Sequence, residues 1–477
     1  MRTIVTVALA ASLAIAANGL SAQNQGAPAG QAPAGPAGQG RQGGGGGGGG
    51  RGGGPQLPPA PTPVAPPPAA PYKAGIPERT AQDTAITNVR IVVGNGQVIE
   101  NGHIIMRSGR IAVVAPGAPA STQGLRVINA QGMSAMAGFI DGHKHVTNGP
   151  SSEAQMRSLL EAGYTTILAG GGSAMDNLTL SANVESGMIN GPRIIPSGPA
   201  GTNQAAQQAA AAVMALAMQN VRHTGEINIT PEPFPPQAQV ETLKAIVNAA
   251  RMNNVQVNVH AVSSIAMETA IDVGVRRLVH LPNKDFTTFE QAQKVAETGS
   301  IVAGLIAFGA PTIERDSPLP PGCPLPCQGS VFFPLDNQPR FRDGRVWPEP
   351  IVGANRDAQG RATGTELGYT LINARRIWDA DPEHRTISFS TDQNFADLVV
   401  LEHELKSFSI IFSMADIHRI IGPNSARYVG MEAQVGTLER GKFADLILLS
   451  GNPTESIYGM LTTKVVFKEG RMVIDKR

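Results

Sequence analysis

One stretch decides the fold: Gly138-Phe139-Ile140-Asp141-Gly142-His143-Lys144-His145-Val146. Its apolar start predicts a buried strand, and the strand ends in a His-x-His pair. Successive side chains of a strand point to opposite faces, so His143 and His145 project the same way, ~7 Å apart along the backbone. Two imidazoles placed in this way can bind one metal ion. Because the pair alone is a weak signal, its partners must come from elsewhere in the chain.

From residue 135 to residue 429, short apolar runs alternate with Ala-rich or amphipathic stretches. After the opening strand, the predicted strands include residues 165–168, 193–196, 227–229, 255–260, 277–280, 301–306 and 387–391. The clearest predicted helices are residues 204–218, 239–253 and 290–296. This alternation predicts an α/β fold with a (β/α)8 TIM-type barrel. A doubly wound open sheet has the same alternation and stays open as an alternative.

One connection in this region, residues 309–364, has no periodicity and is rich in Pro, Gly, Asp and Arg. A structureless loop of this length inside a domain is usually functional. In a barrel it would follow the seventh strand, so we interpret it as an insertion that covers the mouth of the site. Its Cys323 and Cys327 are expected to form a disulfide.

Both ends of the mature chain have the pattern of short antiparallel strands separated by turns. Residues 73–134 and 430–477 are therefore expected to form one small β-sandwich, with the barrel of residues 135–429 inserted between them.

The first 72 residues do not have the composition of a folded domain. Residues 1–22 have the charged, apolar and small-residue regions of a signal peptide, so we expect export to the periplasm or the medium. Residues 23–72 consist almost entirely of Gly, Ala, Pro and Gln and are expected to be a disordered tether.

The charge and the apolar runs exclude some partners. The net charge is +1 and the pI is about 7.9, which predicts no nucleic-acid partner. The apolar run of residues 4–17 is shorter than the roughly 20 residues that a membrane-spanning helix needs. A small-molecule substrate is expected, and a homo-oligomer is left open.

Further metal-binding side chains follow other predicted strands. His260, His280 and Asp392 each stand at the end of one apolar run. The carboxyl ends of all strands of a barrel meet at one face, so these residues are predicted to converge with His143 and His145. Four imidazoles and a carboxylate suit a divalent ion such as Zn²⁺. The other histidines lack this placement and are expected to be structural or on the surface: His103, His223, His384, His403 and His418.

On these residues the chain resembles the amidohydrolase superfamily, in particular its imidazolonepropionase-like and prolidase-like members. The resemblance spans residues 86–473. The motifs that carry it are Gly138-Phe139-Ile140-Asp141-Gly142-His143-Lys144-His145, Glu161-Ala162-Gly163-Tyr164-Thr165-Thr166, Gly191-Pro192-Arg193-Ile194, His260-Ala261, Val279-His280, Thr391-Asp392 and Gly436-Thr437-Leu438-Glu439-Arg440-Gly441-Lys442-Phe443-Ala444-Asp445-Leu446.

The resemblance implies a role for each site residue. His143, His145 and His260 would bind the metal, and Asp392 would bind it and accept a proton from its water. His280 would be a ligand of a second metal or would polarise the scissile carbonyl. The implied reaction is hydrolysis of an amide or cyclic amide C–N bond by metal-bound hydroxide, as in dipeptidases or hydrolases of other C–N bonds.

The sequence departs from the superfamily at the fourth strand. Members with two metals often have a carboxylated lysine there, and Asn228 stands at that position. Glu226 shares its face of the strand but is expected to lie one layer deeper in the barrel. One tightly bound ion is therefore expected rather than two.

Two other functions stay open. The missing lysine and the long insertion would also suit an inactive binding or scaffold protein on the same fold. A hydrolase of esters or phosphoesters would use the same metal chemistry.

Overall fold

The computed structural model describes residues 80–146, 148–307, 364–392 and 397–477. The chain divides after Pro68 into two units, and every described residue lies in the second, Ala69–Arg477. The predicted signal peptide, tether and disulfide, and residues 309–363 of the predicted insertion, lie outside the described residues. Among the described residues, no helix combines the length and apolar character that crossing a membrane requires.

The described chain begins with a group of five strands, the first of which pairs with three others. These strands are β1 (Thr84–Val92), β2 (Val98–Arg107), β3 (Arg110–Pro116), β4 (Arg126–Asn129) and β5 (Ser134–Ala137). Strand β1 pairs antiparallel with β2, and its two halves pair parallel with β4 and β5.

The middle of the chain alternates strands with helices. Its strands are β6 (Phe139–Lys144), β7 (Tyr164–Ala169), β8 (Arg193–Ile195), β9 (Ser197–Gly198), β10 (His223–Asn228), β11 (Gln256–His260), β12 (Arg277–Val279), β13 (Ile301–Gly304) and β14 (Ile387–Phe389). Its helices are α1 (Ser152–Ala162), α2 (Ala174–Glu185), α3 (Ala206–Met218), α4 (Gln237–Asn253), α5 (Ser264–Val273), α6 (Phe289–Glu297), α7 (Gly364–Asp379), α8 (Asp397–Ser409), α9 (Met414–Arg419) and α10 (Ser425–Tyr428), with a π-helical turn at Ile420–Asn424.

Local sequence sets where several of these helices begin and end. The hydroxyls of Ser173 and Ser263 accept the backbone N–H groups at the starts of α2 and α5. Gly163 and Gly274 end α1 and α5 with φ of 108° and 106°, a conformation that glycine adopts without a steric penalty. These signals lie in the connections, so local sequence sets the end of α1, the start of α2 and both ends of α5.

The strands of the middle region are parallel in both of its sheets. One sheet has the order β14-β13-β12-β11-β10-β9 and the other the order β6-β7-β8. Strands β8 and β9 are separated only by Pro196. The predicted parallel α/β arrangement of alternating strands and helices is confirmed at this level.

The chain ends in three strands and a short helix: β15 (Leu446–Leu449), α11 (Ile457–Met460), β16 (Thr463–Lys468) and β17 (Arg471–Asp475). Strand β15 pairs with β5, so both ends of the described chain share one mixed sheet in the order β17-β16-β15-β5-β1-β2-β3. The predicted two-layer sandwich stays a prediction, because the hydrogen bonds define one continuous sheet.

Strand β15 separates two hydrophobic cores. Leu446 and Leu448 pack into the core of the mixed sheet, whereas Ile447 and Leu449 pack into the large core of the α/β region. Both faces of this strand are therefore buried, which explains its continuous apolar sequence.

An ion cluster of Arg193, Asp445 and Glu469 joins the mixed sheet to the α/β region. The Arg193 guanidinium lies 2.6 Å from Asp445 and 2.5 Å from Glu469. Arg193 also lies over the Phe443 ring, 4.7 Å from its centroid. Side chains of Arg193 and Asp445 are only 11% and 2% exposed, so each charge depends on the other for compensation.

Replacing Asp445 with Ala should lower the free energy of unfolding by about 3–5 kcal/mol, because it leaves Arg193 buried without its main counter-charge. Chemical denaturation measures this change. Glu100→Ala is the matched control, since Glu100 is 71% exposed in its pair with Arg90 and should contribute at most about 1 kcal/mol. Equal losses in the two variants would contradict the role given to Asp445.

Candidate metal centre

The structure brings together all five residues predicted to bind metal. His143 lies near the end of β6 and His145 directly after it, His260 is the last residue of β11, His280 follows β12, and Asp392 lies three residues after β14. They meet at the carboxyl ends of the parallel strands. Other histidines lie outside the cluster. For example, the imidazole rings of His103 and His418 contact the backbone oxygens of Gly117 and Pro453.

Asp392 contacts the His-x-His pair directly. The Nε2 atoms of His143 and His145 each lie 3.0 Å from Asp392 Oδ1. The two rings are perpendicular, with centroids 5.4 Å apart. Both histidines therefore direct a nitrogen at the same point, as the strand period predicts.

Glu226 completes the cluster, and its position corrects the expectation that it would lie deeper. Its Oε1 bonds His260 Nδ1 and lies 3.2 Å from His280 Nε2. Its Oε2 lies 3.6 Å from His143 Nε2. One carboxylate thus spans the gap between the β6 histidine and those of β11 and β12.

Asn228 stands at the position where superfamily members with two metals often have a carboxylated lysine. It is exposed and lies outside the cluster. Strand β10 begins at His223, earlier than the apolar run of residues 227–229 suggests. The strand period places residues 226 and 228 on one side but does not say which of them is level with the site. An acid two residues before the expected position was the only sequence signal for Glu226.

The carboxylates and imidazoles of the cluster shift each other's pKa values. Burial opposes the charge of Asp392, but the charge of His280 and the hydrogen bonds of His143 and His145 outweigh it and lower the Asp392 pKa. Burial likewise opposes the charge of Glu226, whose pKa is lowered by hydrogen bonds from His143, His260 and His280. Burial also lowers the pKa of His280. Burial alone would lower the pKa of His143, but hydrogen bonds to Asp392 and Glu226 raise it to about 10. Both carboxylates are therefore ionised at neutral pH.

The donor set fits a divalent ion. Ligand atoms of His143, Glu226, His280 and Asp392 all lie within 4.8 Å of one another. In a tetrahedral site with bonds of about 2.1 Å, ligand atoms are about 3.4 Å apart. The spacings of 3.0, 3.2 and 3.6 Å found here are close to that value. Two anionic oxygens would also balance the charge of the ion.

Asp141, two residues before His143 in β6, supports the cluster. Its carboxylate accepts hydrogen bonds from His143 N, Thr391 N and Thr391 Oγ1 at 3.0, 3.2 and 2.6 Å. The backbone N–H of Asp392 donates to His143 O at 2.9 Å. Burial raises the pKa of Asp141 to about 6 against the opposing charge of Lys144, whose buried Nζ donates to Thr391 Oγ1. These bonds hold the metal-binding ends of β6 and β14 together.

Two of the site residues have strained backbone. His280 has φ 67° and Asp392 has φ 54°, in the left-handed region. Such a conformation costs about 1–3 kcal/mol and persists where the surrounding structure imposes it, often at functional sites. His280 directly follows β12 and Asp392 lies three residues after β14, so both strained positions are in the segments that follow the strands.

A run of glycines after β7 makes room for the His-x-His pair. A Cβ atom at Gly170 would lie 2.8 Å from His143 Cε1, and one at Gly171 would lie 3.1 Å from His145 Cε1. Gly170 N donates to Lys144 O, and Gly170 O accepts from Glu226 N. The backbone of Gly170 therefore lies between the strands of His143 and Glu226, and no side chain fits there.

The chain is similar to known proteins over part of its length. Residues 134–300 match the model of a family described as the amidohydrolase family. The chain is 40% identical over 75 residues to an imidazolonepropionase from Caldanaerobacter subterraneus subsp. tengcongensis, which is 16% of this chain and 18% of that protein. It is 37% identical over 92 residues to an adenine deaminase from Ruegeria sp. (strain TM1040), which is 19% of this chain and 15% of that protein. The matches thus span less than a fifth of either relative.

Solved structures show the same fold over most of the chain. A prolidase-like protein from Bifidobacterium longum has a TM-score of 0.66 and 21% identity, covering 83% of this chain and 97% of that one. Phenylurea hydrolase B has a TM-score of 0.62 and 18% identity, covering 82% and 97%. At these identities the likeness is one of fold, and it makes the α/β region TIM-barrel-like.

Gly170→Ala should weaken metal retention at least tenfold, because the new methyl group would displace the His143 ring. The fold should survive, so the readout is metal content after dialysis, with circular dichroism for the fold. Gly149→Ala is the matched control, since a Cβ there meets no atom within 4 Å. Full metal retention in the Gly170 variant would show that the ring does not need this space.

Proposed function

We propose that this chain, whose residues 134–300 match the amidohydrolase family, is a metal-dependent hydrolase that cleaves C–N bonds of amides or cyclic amides. The observation that carries the proposal is the convergence of four imidazoles and two carboxylates at the carboxyl ends of the strands. Relatives of similar fold include a prolidase-like protein and a phenylurea hydrolase, whose names refer to C–N bonds.

The residues of the cluster have different roles in the proposed hydrolysis. A divalent ion at this site supplies Lewis-acid activation of a water molecule and of the scissile carbonyl. Asp392 is the proton acceptor, since its lowered pKa keeps it ionised and it contacts both histidines of the His-x-His pair. It can later return that proton to the leaving nitrogen.

His280 has the second catalytic role. Because burial lowers its pKa, the ring is neutral at pH 7 and can donate one N–H to a carbonyl oxygen or bind an ion through Nε2. Its Nε2 lies 3.2 Å from Glu226 and 3.6 Å from Asp392, on the inner side of the cluster.

A further proposal concerns the fold. We propose that the two parallel sheets are arcs of one (β/α)8 barrel and that the mixed sheet folds over its own core as a β-sandwich. Bonds from Asp392 N to His143 O and from Glu226 N to Gly170 O link the two arcs on both sides. With β8 and β9 counted as one strand, closure would bring all eight strand ends to one pocket.

The ion is proposed to be Zn²⁺, which suits a mixed nitrogen and oxygen donor set. We propose one tightly held ion, bound among His143, Glu226, His280 and Asp392. Since Glu226 directs its two oxygens to different histidines, it could also bridge to a weaker second position beside His260. We further propose export, on the composition of residues 1–22.

After exhaustive dialysis the protein should retain one equivalent of metal and bind a second only from excess metal. Glu226→Gln should lower the affinity for the retained ion at least tenfold and abolish the second position, as titration with a competing chelator would measure. Glu232→Gln is the control, because Glu232 is an exposed acid after β10 that lies outside the cluster. Two equivalents retained in a fully active preparation would refute the single tight ion.

The metal-reconstituted protein should hydrolyse members of a panel of dipeptides, lactams, cyclic imides and hydantoins. Asp392→Asn should lower kcat by about 10²–10⁴-fold because it removes the proton acceptor. Its circular dichroism spectrum should not change, and Asp379→Asn on the surface of α7 should keep full activity. Failure of the wild-type protein across the whole panel, with turnover of esters or phosphoesters instead, would overturn the proposal.

A further inference from the structure

A groove outside the candidate metal centre lies between α6 and α7. It has a volume of about 630 Å³, and its lining includes Phe289 and Gln293 of α6, Leu371, Ile372 and Arg376 of α7, and Ile411 after α8. None of these residues belongs to the metal cluster. The volume falls within the range of small-molecule pockets, which is about 300–1,000 Å³.

Apolar side chains of both helices reach the solvent in this groove. Phe289 is 72% exposed and Ile372 is 42% exposed. Leu371 and Ile411, which are partly buried, pack against the core of the α/β region and continue the same surface. Single exposed apolar residues are common on proteins, but these side chains line one concave surface. A ligand with an apolar body would remove that surface from water.

The groove also contains an arginine that is not paired with an acid. Arg376 is half-buried, and no carboxylate of the described residues forms an ion pair with it. Its Nη1 donates to Thr287 O at 2.6 Å, and its guanidinium lies over the rings of Phe289 and Phe286, 5.0 and 5.7 Å from their centroids. These contacts hold the guanidinium in place and leave part of its hydrogen-bonding capacity unused.

The neighbouring arginine of the groove is compensated. Arg375 forms a two-point salt bridge with Asp379 of the same helix, at 2.6 and 2.9 Å. Its Nη1 also donates to Ile411 O at 3.2 Å. Among the residues that line the groove, the net positive charge therefore comes from Arg376.

We propose that this groove is a second ligand site, which binds a molecule with an apolar body and one carboxylate. The carboxylate pairs with Arg376, because a fixed planar guanidinium suits the two oxygens of a carboxylate. The apolar body lies on Phe289, Ile372 and Ile411. The site is separate from the metal cluster, so the inference does not depend on the proposed hydrolysis.

Calorimetric titration of the metal-loaded protein with octanoate tests this site. The wild-type protein should bind about one equivalent of octanoate. It should bind octanoate at least tenfold more tightly than butyrate, which has little apolar surface, or octan-1-ol, which has no charge. Arg376→Met should lower the affinity for octanoate at least tenfold and leave that for octan-1-ol unchanged. Arg376→Lys should keep most of the preference for the acid, and Phe289→Ala should weaken the binding of both compounds.

Arg157→Met is the matched control, because it removes an arginine that is 47% exposed on α1, outside the groove. It should leave the affinity for octanoate unchanged, and circular dichroism checks the fold of each variant. A carboxylate can also bind a metal ion. Octanoate binding that persists in Arg376→Met but is lost when the metal is removed would overturn the inference. Absence of saturable binding to the wild-type protein, or equal affinities for octanoate and octan-1-ol, would also overturn it.

Discussion

The candidate site depends on one buried carboxylate. Asp141 accepts hydrogen bonds from the backbone of His143 and from both the backbone and the hydroxyl of Thr391. Asp141 lies in β6 and Thr391 lies two residues after β14, 250 residues apart in the sequence. This link adds to the direct hydrogen bond from Asp392 N to His143 O at 2.9 Å. Burial makes the link demanding, since an unpaired carboxyl group there would carry a large desolvation cost.

The same principle of mutual compensation applies throughout the cluster. Two ionised carboxylates lie among four imidazoles, and each group is stabilised by partners from other strands. The strained backbone of His280 and Asp392 is held by this network and by the strands that precede it. A preformed, charge-balanced set of donors needs little rearrangement to bind an ion, which is what a catalytic metal site requires.

None of the cluster residues lies in the strands of the mixed sheet, which packs against the α/β region. It is assembled from both ends of the described chain, and β15 is buried between its core and that of the α/β region. Arg193, at the start of β8, is tied to Asp445 and Glu469 of the sheet. Since β8 neighbours β7, whose following glycines pack against His143 and His145, this contact braces the layer beneath the site.

The sequence by itself determined the alternation of strands and helices and the set of histidines and aspartate at strand ends. Those features depend on periodicity and on position along the chain, which are local properties. Only the tertiary structure decided that Glu226, and not Asn228, reaches the cluster, because two residues on one face of a strand differ only in their depth along the strand. The tertiary structure alone also shows the space left by Gly170, the strained backbone of His280 and Asp392, and the hydrogen bonds of Thr391 to Asp141. Each of these depends on segments that are distant in sequence and meet only when the strands are packed side by side.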